Sequence, residues 1–308
     1  MKHNIIFDDQ DGSSGFFIIP ESLLFSKKSE FQKIEIFKHD FFGKILRLNG
    51  CFQTSELDEF LYHEPLVQYA LFSHPNPKKV LIIGGGDGGA LKEVIKHKKI
   101  KKIDMIELDK DVVEVSKKFL SNINKNSFND KRVNLQYMDG VDYLKQKENR
   151  YDIIILDLTD PSGESLKLYT KEFYELVKSR LNKKGILSLH TESYLFYPKI
   201  FGRIIETLKN VYRYVAPHGN DVPLYGGTIS FALCSDEINF KRLTKEQINQ
   251  RLKRSKIKEL KHFTPLLFLA SLELPNYVLK TLKNKNEIIT MQNPLDEGKG
   301  GIWEEKWQ

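Results

Sequence analysis

The residues that could do chemistry begin with Gly84-Gly-Gly-Asp-Gly-Gly89, directly after the apolar run Val80-Leu-Ile-Ile83. Glycines at such a turn let the backbone approach a ligand closely and open a helix whose N-terminus points at it. A glycine-rich loop alone is a weak signal, because many turns contain them. Glu107 sharpens it. It ends the next apolar strand, 23 residues after Gly84, where an acidic side chain accepts hydrogen bonds from ribose hydroxyls; the alternative is a solvated strand end. Asp139-Gly140 follows a third strand, and there an Asp either meets the exocyclic amine of an adenine or has no such role. Gly84 to Gly89, Gly86 among them, with Glu107 and Asp139 together outline an adenosine site along the carboxyl ends of consecutive strands.

Asp87 gives that site a charge. A methyltransferase binding ordinary S-adenosylmethionine should keep negative charge away from the cosubstrate's carboxylate, since like charges at close range cost several kcal/mol once water is excluded. Decarboxylated S-adenosylmethionine ends in an ammonium instead, which Asp87 would attract. The fourth strand then delivers Asp157-Leu-Thr-Asp160-Pro161. Two carboxylates beside a sulfonium suit a polyamine: one accepts the proton that an attacking amine loses, and the other holds a distal ammonium. The plainer reading is that Asp157 and Asp160 only start the turn before Pro161, but Asp157 closes a fully apolar strand at the expected crevice.

The elements that would position these groups alternate. After the punctuating loop His74-Pro-Asn-Pro77, strands are expected at Val80–Ile83, Ile103–Ile106, Val133–Tyr137, Tyr151–Leu156 and Ile186–Leu189. Helices are expected at Ala90–Lys96, Asp111–Leu120 and Thr170–Leu181. Continuous apolar strands alternating with helices indicate a parallel sheet covered on both faces. Residues 1–60 read as a small antiparallel β unit, with Asp11-Gly12, Ser13-Ser-Gly15 and Phe42-Gly43 as turn signals. Ser55 is expected to cap a helix running to Phe72 that Pro65 should kink or break. The chain thus divides into an N-terminal β domain (1–60), a Rossmann-like catalytic domain (61–237) and a C-terminal extension (238–308).

Composition bounds the rest. With 308 residues and 40% hydrophobic side chains a large core is affordable. The net charge of +7 invites a nucleic-acid reading. Lys241 to Lys261 weakens it: nine Lys or Arg against Glu246 and Glu259 give that segment the whole excess, and a charge run is usually a solvated helix face. Cys51 and Cys234 are far apart in apolar surroundings, without metal-ligand spacing, and are expected to be free buried thiols. No signal peptide or bilayer-length apolar run is visible, so a cytoplasmic protein with neither membrane nor nucleic-acid partner is expected.

The same residues resemble the spermidine synthases, the polyamine aminopropyltransferases. The resemblance covers Gln32-Lys-Ile-Glu-Ile-Phe37, Asp58-Glu-Phe-Leu-Tyr-His-Glu64, His74 to Gly89, Glu107-Leu-Asp109, Asp157-Leu-Thr-Asp-Pro161, Tyr169-Thr-Lys-Glu-Phe-Tyr174, Pro223-Leu-Tyr-Gly-Gly227, Phe263-Thr-Pro265 and Leu274-Pro275. It implies that Gln32, Glu107, Asp139 and Gly140 hold the nucleoside, that Asp87 holds the aminopropyl ammonium and that Asp157 deprotonates the attacking amine. It also implies that Asp160, His63, Tyr62 and Tyr225 line the polyamine channel; Tyr225 by itself could be ordinary core. A homodimer or homotetramer formed through the N-terminal region is implied as well. Two departures stand out. The segment Ser162-Gly-Glu-Ser-Leu-Lys-Leu-Tyr169 lacks the second proline usual in the family, and His190 stands where a Gln is common. The Asp-Leu-Thr-Asp-Pro form is similar to members that use agmatine or make thermospermine.

The expected fold is α/β: a seven-stranded methyltransferase-type sheet behind a small β domain. The expected reaction moves the aminopropyl group of decarboxylated S-adenosylmethionine, a cosubstrate and not a resident cofactor, to an amine. Putrescine comes first among acceptors, and no metal is called for because the leaving group already carries positive charge. A methyltransferase using 241–261 as an electrostatic arm is the second reading, with Asp87 against it. A catalytically dead scaffold is the third, with the intact Asp157 and Asp160 against it.

Overall fold

A computed structural model describes residues 5–9, 15–146, 148–161 and 163–295. The turn signals at Asp11-Gly12 and Ser13-Ser14, Ser162 of the atypical loop and the last part of the C-terminal extension lie outside the described residues. Strands β1 (Ile6–Asp9) and β2 (Gly15–Ile18) form an antiparallel pair. Strands β3 (Ser22–Lys28), β4 (Lys33–His39), β5 (Gly43–Leu48) and β6 (Cys51–Ser55) form an antiparallel sheet in sequence order.

Helix α1 (Phe60–Ser73) leads into the alternating part: β7 (Lys79–Gly84), α2 (Gly89–Ile95), β8 (Lys102–Glu107), α3 (Lys110–Phe119), the short α4 (Ser121–Asn124), β9 (Val133–Tyr137), α5 (Gly140–Gln146) and β10 (Tyr151–Asp157). Then come α6 (Lys171–Ser179), β11 (Leu181–His190), α7 (Pro198–Val211), β12 (Tyr214–Val222), β13 (Gly227–Ser235), α8 (Lys245–Ser255), α9 (Pro265–Ser271) and α10 (Asn276–Lys283). The large sheet has seven strands in the order β12-β13-β11-β10-β7-β8-β9. Five are parallel, while β13 runs antiparallel to β11 and to β12. The five strands expected from the apolar runs are the parallel ones, and β12 and β13 complete a mixed sheet of the Rossmann-like, methyltransferase type.

Side chains alternate across this sheet, as a strand's period of two requires. Val80, Ile82, Ile103, Met105, Ile153 and Ile155 pack on the α1 and α2 side. Leu81, Ile83, Ile106, Ile154 and Leu156 pack on the α5, α6 and α7 side. Each such fully buried aliphatic side chain contributes on the order of 2 kcal/mol from burial.

The start of α1 is corrected, and so is the expected break at Pro65. Ser55 is the last residue of β6 and does not cap the helix; its hydroxyl donates to Asp58 Oδ1 at 2.6 Å, and Asp58 Oδ2 accepts from the Leu224 N–H at 2.8 Å. Pro65 does not end α1, which continues from Phe60 to Ser73. The carbonyl it leaves without an intrahelical partner belongs to Leu61, and the Asn220 side-chain amide donates to that oxygen at 2.7 Å.

The basic segment also differs from its expectation. Its helix is α8 alone, opened by a capping box at Thr244 and Gln247 and ended by Lys256 in a left-handed conformation. Arg251 is half-buried and donates to the Phe72 and Ser73 carbonyls, closing the C-terminal end of α1. Among the described residues no helix is long and apolar enough to cross a membrane.

Candidate active site

Strand order places β7 between β8 and β10, so the chain leaves β7 in one direction for β8 and β9 and returns on the other side for β10. A crevice opens beyond the strand ends at such a switch point. Asp157, at the end of β10, is in register with Gly84 at the end of β7. The Gly85 N–H donates to the Asp157 main-chain carbonyl at 2.8 Å. A Cβ on Gly84, whose φ is +83, would fall 2.1 Å from that same oxygen, so no other residue fits there.

The glycine loop carries Asp87 beneath this point. Its Oδ1 accepts from the Gly89 N–H at 2.7 Å, fixing the start of α2. Its Oδ2 lies 3.4 Å from His63 Nε2. His63 is on α1 and fully buried, and it approaches so closely that a Cβ on Gly89 would overlap its ring. Its other nitrogen is 2.9 Å from Glu59 Oε2, and Lys92 Nζ reaches Glu59 Oε1 at 2.5 Å. Burial alone would lower the His63 pKa; Asp87 and Glu59 overcome it and hold the imidazole well above its usual value. Glu59 is opposed by burial too, yet His63 and Lys92 bring it down to about 2.

A cavity of about 960 Å³ occupies the crevice. Gln32, Tyr62, Gly84, Gly86, Asp87, Glu107, Asp139, Gly140, Asp157, Asp160 and Tyr225 all line it. His63 does not; it reaches the cavity only through Asp87. Among the described residues nine carboxylate side chains line the cavity against one lysine, Lys167, and one histidine, His190. An acidic hollow in a chain with net charge +7 attracts cations locally, whatever the protein's overall sign.

At one end of the cavity stand Gln32, Glu107, Asp109 and Asp139. Gln32 Nε2 donates to Asp109 Oδ2 at 3.0 Å, and Ser29 donates to the same oxygen. Asp109 Oδ1 caps α3 through the Asp111 N–H. Burial pushes Glu107 up to about 7, against the backbone N–H groups of Asp109 and Leu108 that donate to it. Asp139 Oδ1 accepts the Val141 and Asp142 N–H groups at the start of α5, and its Oδ2 lies 3.0 Å from Lys167 Nζ.

At the centre, burial and then the Asp87 charge push Asp157 up to about 6. Ligand-type atoms of His63, Asp87 and Asp157 lie within 4.8 Å of one another. Both nitrogens of that imidazole already face carboxylates, so the group offers a cation hydrogen-bond acceptors, not an imidazole lone pair. The Tyr62 hydroxyl interacts with Asp157, and its own pKa is raised by burial and by that carboxylate. Tyr225 lines the wall while its hydroxyl donates to the Gln53 carbonyl at 2.5 Å, tying the cavity to β6. Beyond Asp157 stand Asp160, His190 and Glu192. Asp160 is exposed, whereas Glu192 is buried, and burial holds the Glu192 carboxyl up at about 7.

Lys92 and Glu192 were not singled out in the sequence, and Glu59 and Tyr169 entered only within segments that carry the resemblance, without a role. A Glu two residues past a strand carries no motif. His190 was visible as a departure from a family pattern, without a stated role.

Comparison with known proteins bears on the same residues. A family model described as a spermine/spermidine synthase domain matches residues 59–244, and one described as a spermidine synthase tetramerisation domain matches 14–56. A polyamine aminopropyltransferase of Nitrosomonas europaea is 35% identical over 283 residues, 92% of this chain and 87% of that one. One of Methanocaldococcus jannaschii is 41% identical over 235 residues, covering 76% and 80%. The crystal structure of the Thermotoga maritima spermidine synthase superposes with a TM-score of 0.83 at 32% identity over 92% of this chain and 95% of that one. A spermidine synthase solved with the transition-state analogue AdoDATO gives 0.86 at 34% identity over 92% and 96%. The matched span contains the glycine loop, Glu107, Asp139, Asp157 and Asp160, and with them the crevice at the switch point: the chain belongs to the spermine/spermidine synthase family.

Proposed function

We propose that this protein transfers the aminopropyl group of decarboxylated S-adenosylmethionine to a polyamine amine and releases methylthioadenosine, with putrescine converted to spermidine as the first reading. The observation that carries it is the cavity's lining of nine carboxylates and one lysine. A cosubstrate with a sulfonium and an ammonium, and an acceptor with two or more ammonium groups, match that charge. Ordinary S-adenosylmethionine would bring its carboxylate toward Asp87 and Asp157.

Gln32, Glu107, Asp139 and Gly140 hold the nucleoside, and Glu107 accepts from the ribose hydroxyls. Asp87 holds the aminopropyl ammonium, with His63 and Glu59 behind it fixing its direction. Asp157 and the Tyr62 hydroxyl face the attacking amine. The neutral amine nitrogen forms a bond to the methylene carbon next to sulfur, the carbon–sulfur bond breaks, and its electron pair stays on sulfur as methylthioadenosine leaves. The nitrogen's surplus proton goes to Asp157, whose raised pKa suits a base working near neutrality. Asp160 and Tyr225 line the far channel. In-line placement of amine and sulfonium supplies much of the acceleration, as proximity can contribute roughly 7 to 11 kcal/mol.

Exposed Phe7, Phe17 and Leu23 on the N-terminal strands and the tetramerisation family match over 14–56 support a homo-oligomer built through that region. Free Cys51 and Cys234 support a reducing, cytoplasmic setting.

The test is product formation from decarboxylated S-adenosylmethionine with putrescine, agmatine, cadaverine and spermidine in parallel, reading methylthioadenosine and the polyamine formed. Preference for putrescine supports the first reading; preference for agmatine or spermidine moves the acceptor within the family. No release with any amine, alongside methyl transfer from ordinary S-adenosylmethionine, would refute it.

A further inference from the structure

A second hollow lies away from the crevice, where the C-terminal ends of α1 and α8 meet the turn after α2. Its volume is about 300 Å³, and its charge is opposite to that of the first. Lys98, Lys99, Arg251 and Arg254 line it, and among the described residues no carboxylate does. Phe72, Pro75 and Pro77 supply an apolar wall. Two histidines complete the lining without adding charge. Burial brings His74 down to about 4 and His97 down to about 3, so both are neutral near pH 7. The His74 Nδ1 accepts the Asn76 N–H at 3.2 Å, which leaves its one hydrogen on Nε2.

Helix C-termini attract positive side chains by themselves, but that need is met with less. Arg251 commits one nitrogen to the Phe72 and Ser73 carbonyls at 2.8 and 2.7 Å. Behind α2 the Ile95, His97 and Ile100 carbonyls are served by Arg132, which does not line the hollow. The rest of the Arg251 fork is unpaired among the described residues, and none of the four cations has a carboxylate partner there. The acids nearby are engaged elsewhere. Asp130, which feels the Lys98 charge, is held by Arg132 at 2.8 Å. Asp152, which faces His74, accepts the Lys78 and Lys79 N–H groups at 2.7 and 3.0 Å. Burial, and then the charge of Arg254, work against the half-buried Arg251 guanidinium. Like charges held together at such a site are relieved by an anion between them.

We infer that this hollow is a second ligand site, built for a small phosphorylated anion. Its phosphoryl groups sit among Arg251, Arg254 and the two lysines, and any ring attached to them lies against Phe72 and the prolines. Guanidinium forks match phosphate oxygens in pairs, while lysines add mobile point charges. The volume is at the lower end for small-molecule sites, which suits a compact ion. The carboxylate-lined crevice repels the same anion, so the two sites select guests of opposite sign. The inference goes beyond the proposed function and needs no aminopropyl transfer to hold.

Calorimetric titration with pyrophosphate and with uridine 5′-diphosphate, at one ionic strength, tests it on wild type, Arg254→Gln, Arg254→Lys and Lys253→Gln. Arg254 is exposed and makes no hydrogen bond among the described residues, so its variants should fold as wild type does; thermal unfolding checks this. Lys253 is exposed on the same helix outside the hollow, and its variant removes the same charge from the wrong place. Wild type should bind pyrophosphate at one site per chain. Arg254→Gln should weaken that binding roughly tenfold or more, as for a lost charge-assisted hydrogen bond. Arg254→Lys should keep part of the affinity, and Lys253→Gln nearly all of it. Tighter binding of uridine 5′-diphosphate than of pyrophosphate identifies a nucleotide-like ligand that uses the apolar wall; equal binding identifies the phosphoryl groups alone. In nuclear magnetic resonance spectra the ring protons of His74 and His97 should shift as pyrophosphate is added. Absence of pyrophosphate binding to wild type overturns the site. So does a loss in Lys253→Gln as large as that in Arg254→Gln, which would reduce the effect to the general charge of α8.

Discussion

The main-chain carbonyl of Asp157 accepts the Gly85 N–H at 2.8 Å, so the end of β10 and the loop that carries Asp87 are tied into one piece. Gly84→Ala should break that piece. The new Cβ would meet the Asp157 oxygen at 2.1 Å in a backbone of φ +83, and strain plus clash should cost about 3 kcal/mol or more. Denaturant unfolding should show that loss together with weaker methylthioadenosine binding; wild-type stability would contradict the close approach.

Asp157→Asn should lower kcat on the order of 100- to 10,000-fold while leaving methylthioadenosine affinity near wild type. The pH dependence follows from the sign of the shift. A base works only when ionised, and Asp157 is raised to about 6, so wild-type kcat should hold above that value and fall tenfold per unit below it. A single-turnover pH profile checks this, and a profile flat down to pH 5 would remove Asp157 as the base.

His218 should be a liability. It is fully buried, stacked on Phe231, and neither ring nitrogen has a partner. Burial, with His262 nearby, brings its pKa down to about 3. A depressed histidine binds fewer protons folded than unfolded, so the stability it permits near neutrality is lost as pH falls from about 6.5 toward 3. His218→Phe should gain about 1 to 3 kcal/mol, more at pH 5 than at pH 7.5, read by denaturant unfolding at both.

Glu64 is the strap of α1. Its carboxylate accepts the Lys261, His262 and Phe263 N–H groups at 2.8 to 2.9 Å. Glu64→Gln turns one acceptor into a donor facing those amides and should cost about 2 kcal/mol. Limited proteolysis after residue 255 should quicken in the variant; unchanged cleavage and stability would mean the tail is held elsewhere.

Much of this was readable in the chain because the signals were local. Val80–Ile83, the glycine loop and Glu107 each carry their meaning within a few residues. What failed depended on distant partners. The start of α1 was misplaced because Ser55 gives its hydroxyl to Asp58, which is itself held by Leu224. Pro65 survives inside a helix because Asn220, more than 150 residues away, serves the orphaned carbonyl. His63 sits behind Asp87 because Gly89 lacks a Cβ, which no spacing rule conveys. Glu192 was silent because its left-handed backbone leaves no mark on residue type.

The acid lining of the cavity has a kinetic side. A hollow of that charge ranks its guests by how many positive nitrogens they bring, and the proposed reaction adds one: a diamine enters and a triamine is made. The product is then held more firmly than the substrate it came from. Methylthioadenosine, uncharged, has no such grip. Polyamine release, and inhibition by accumulated polyamine, are where such an enzyme would be slowed.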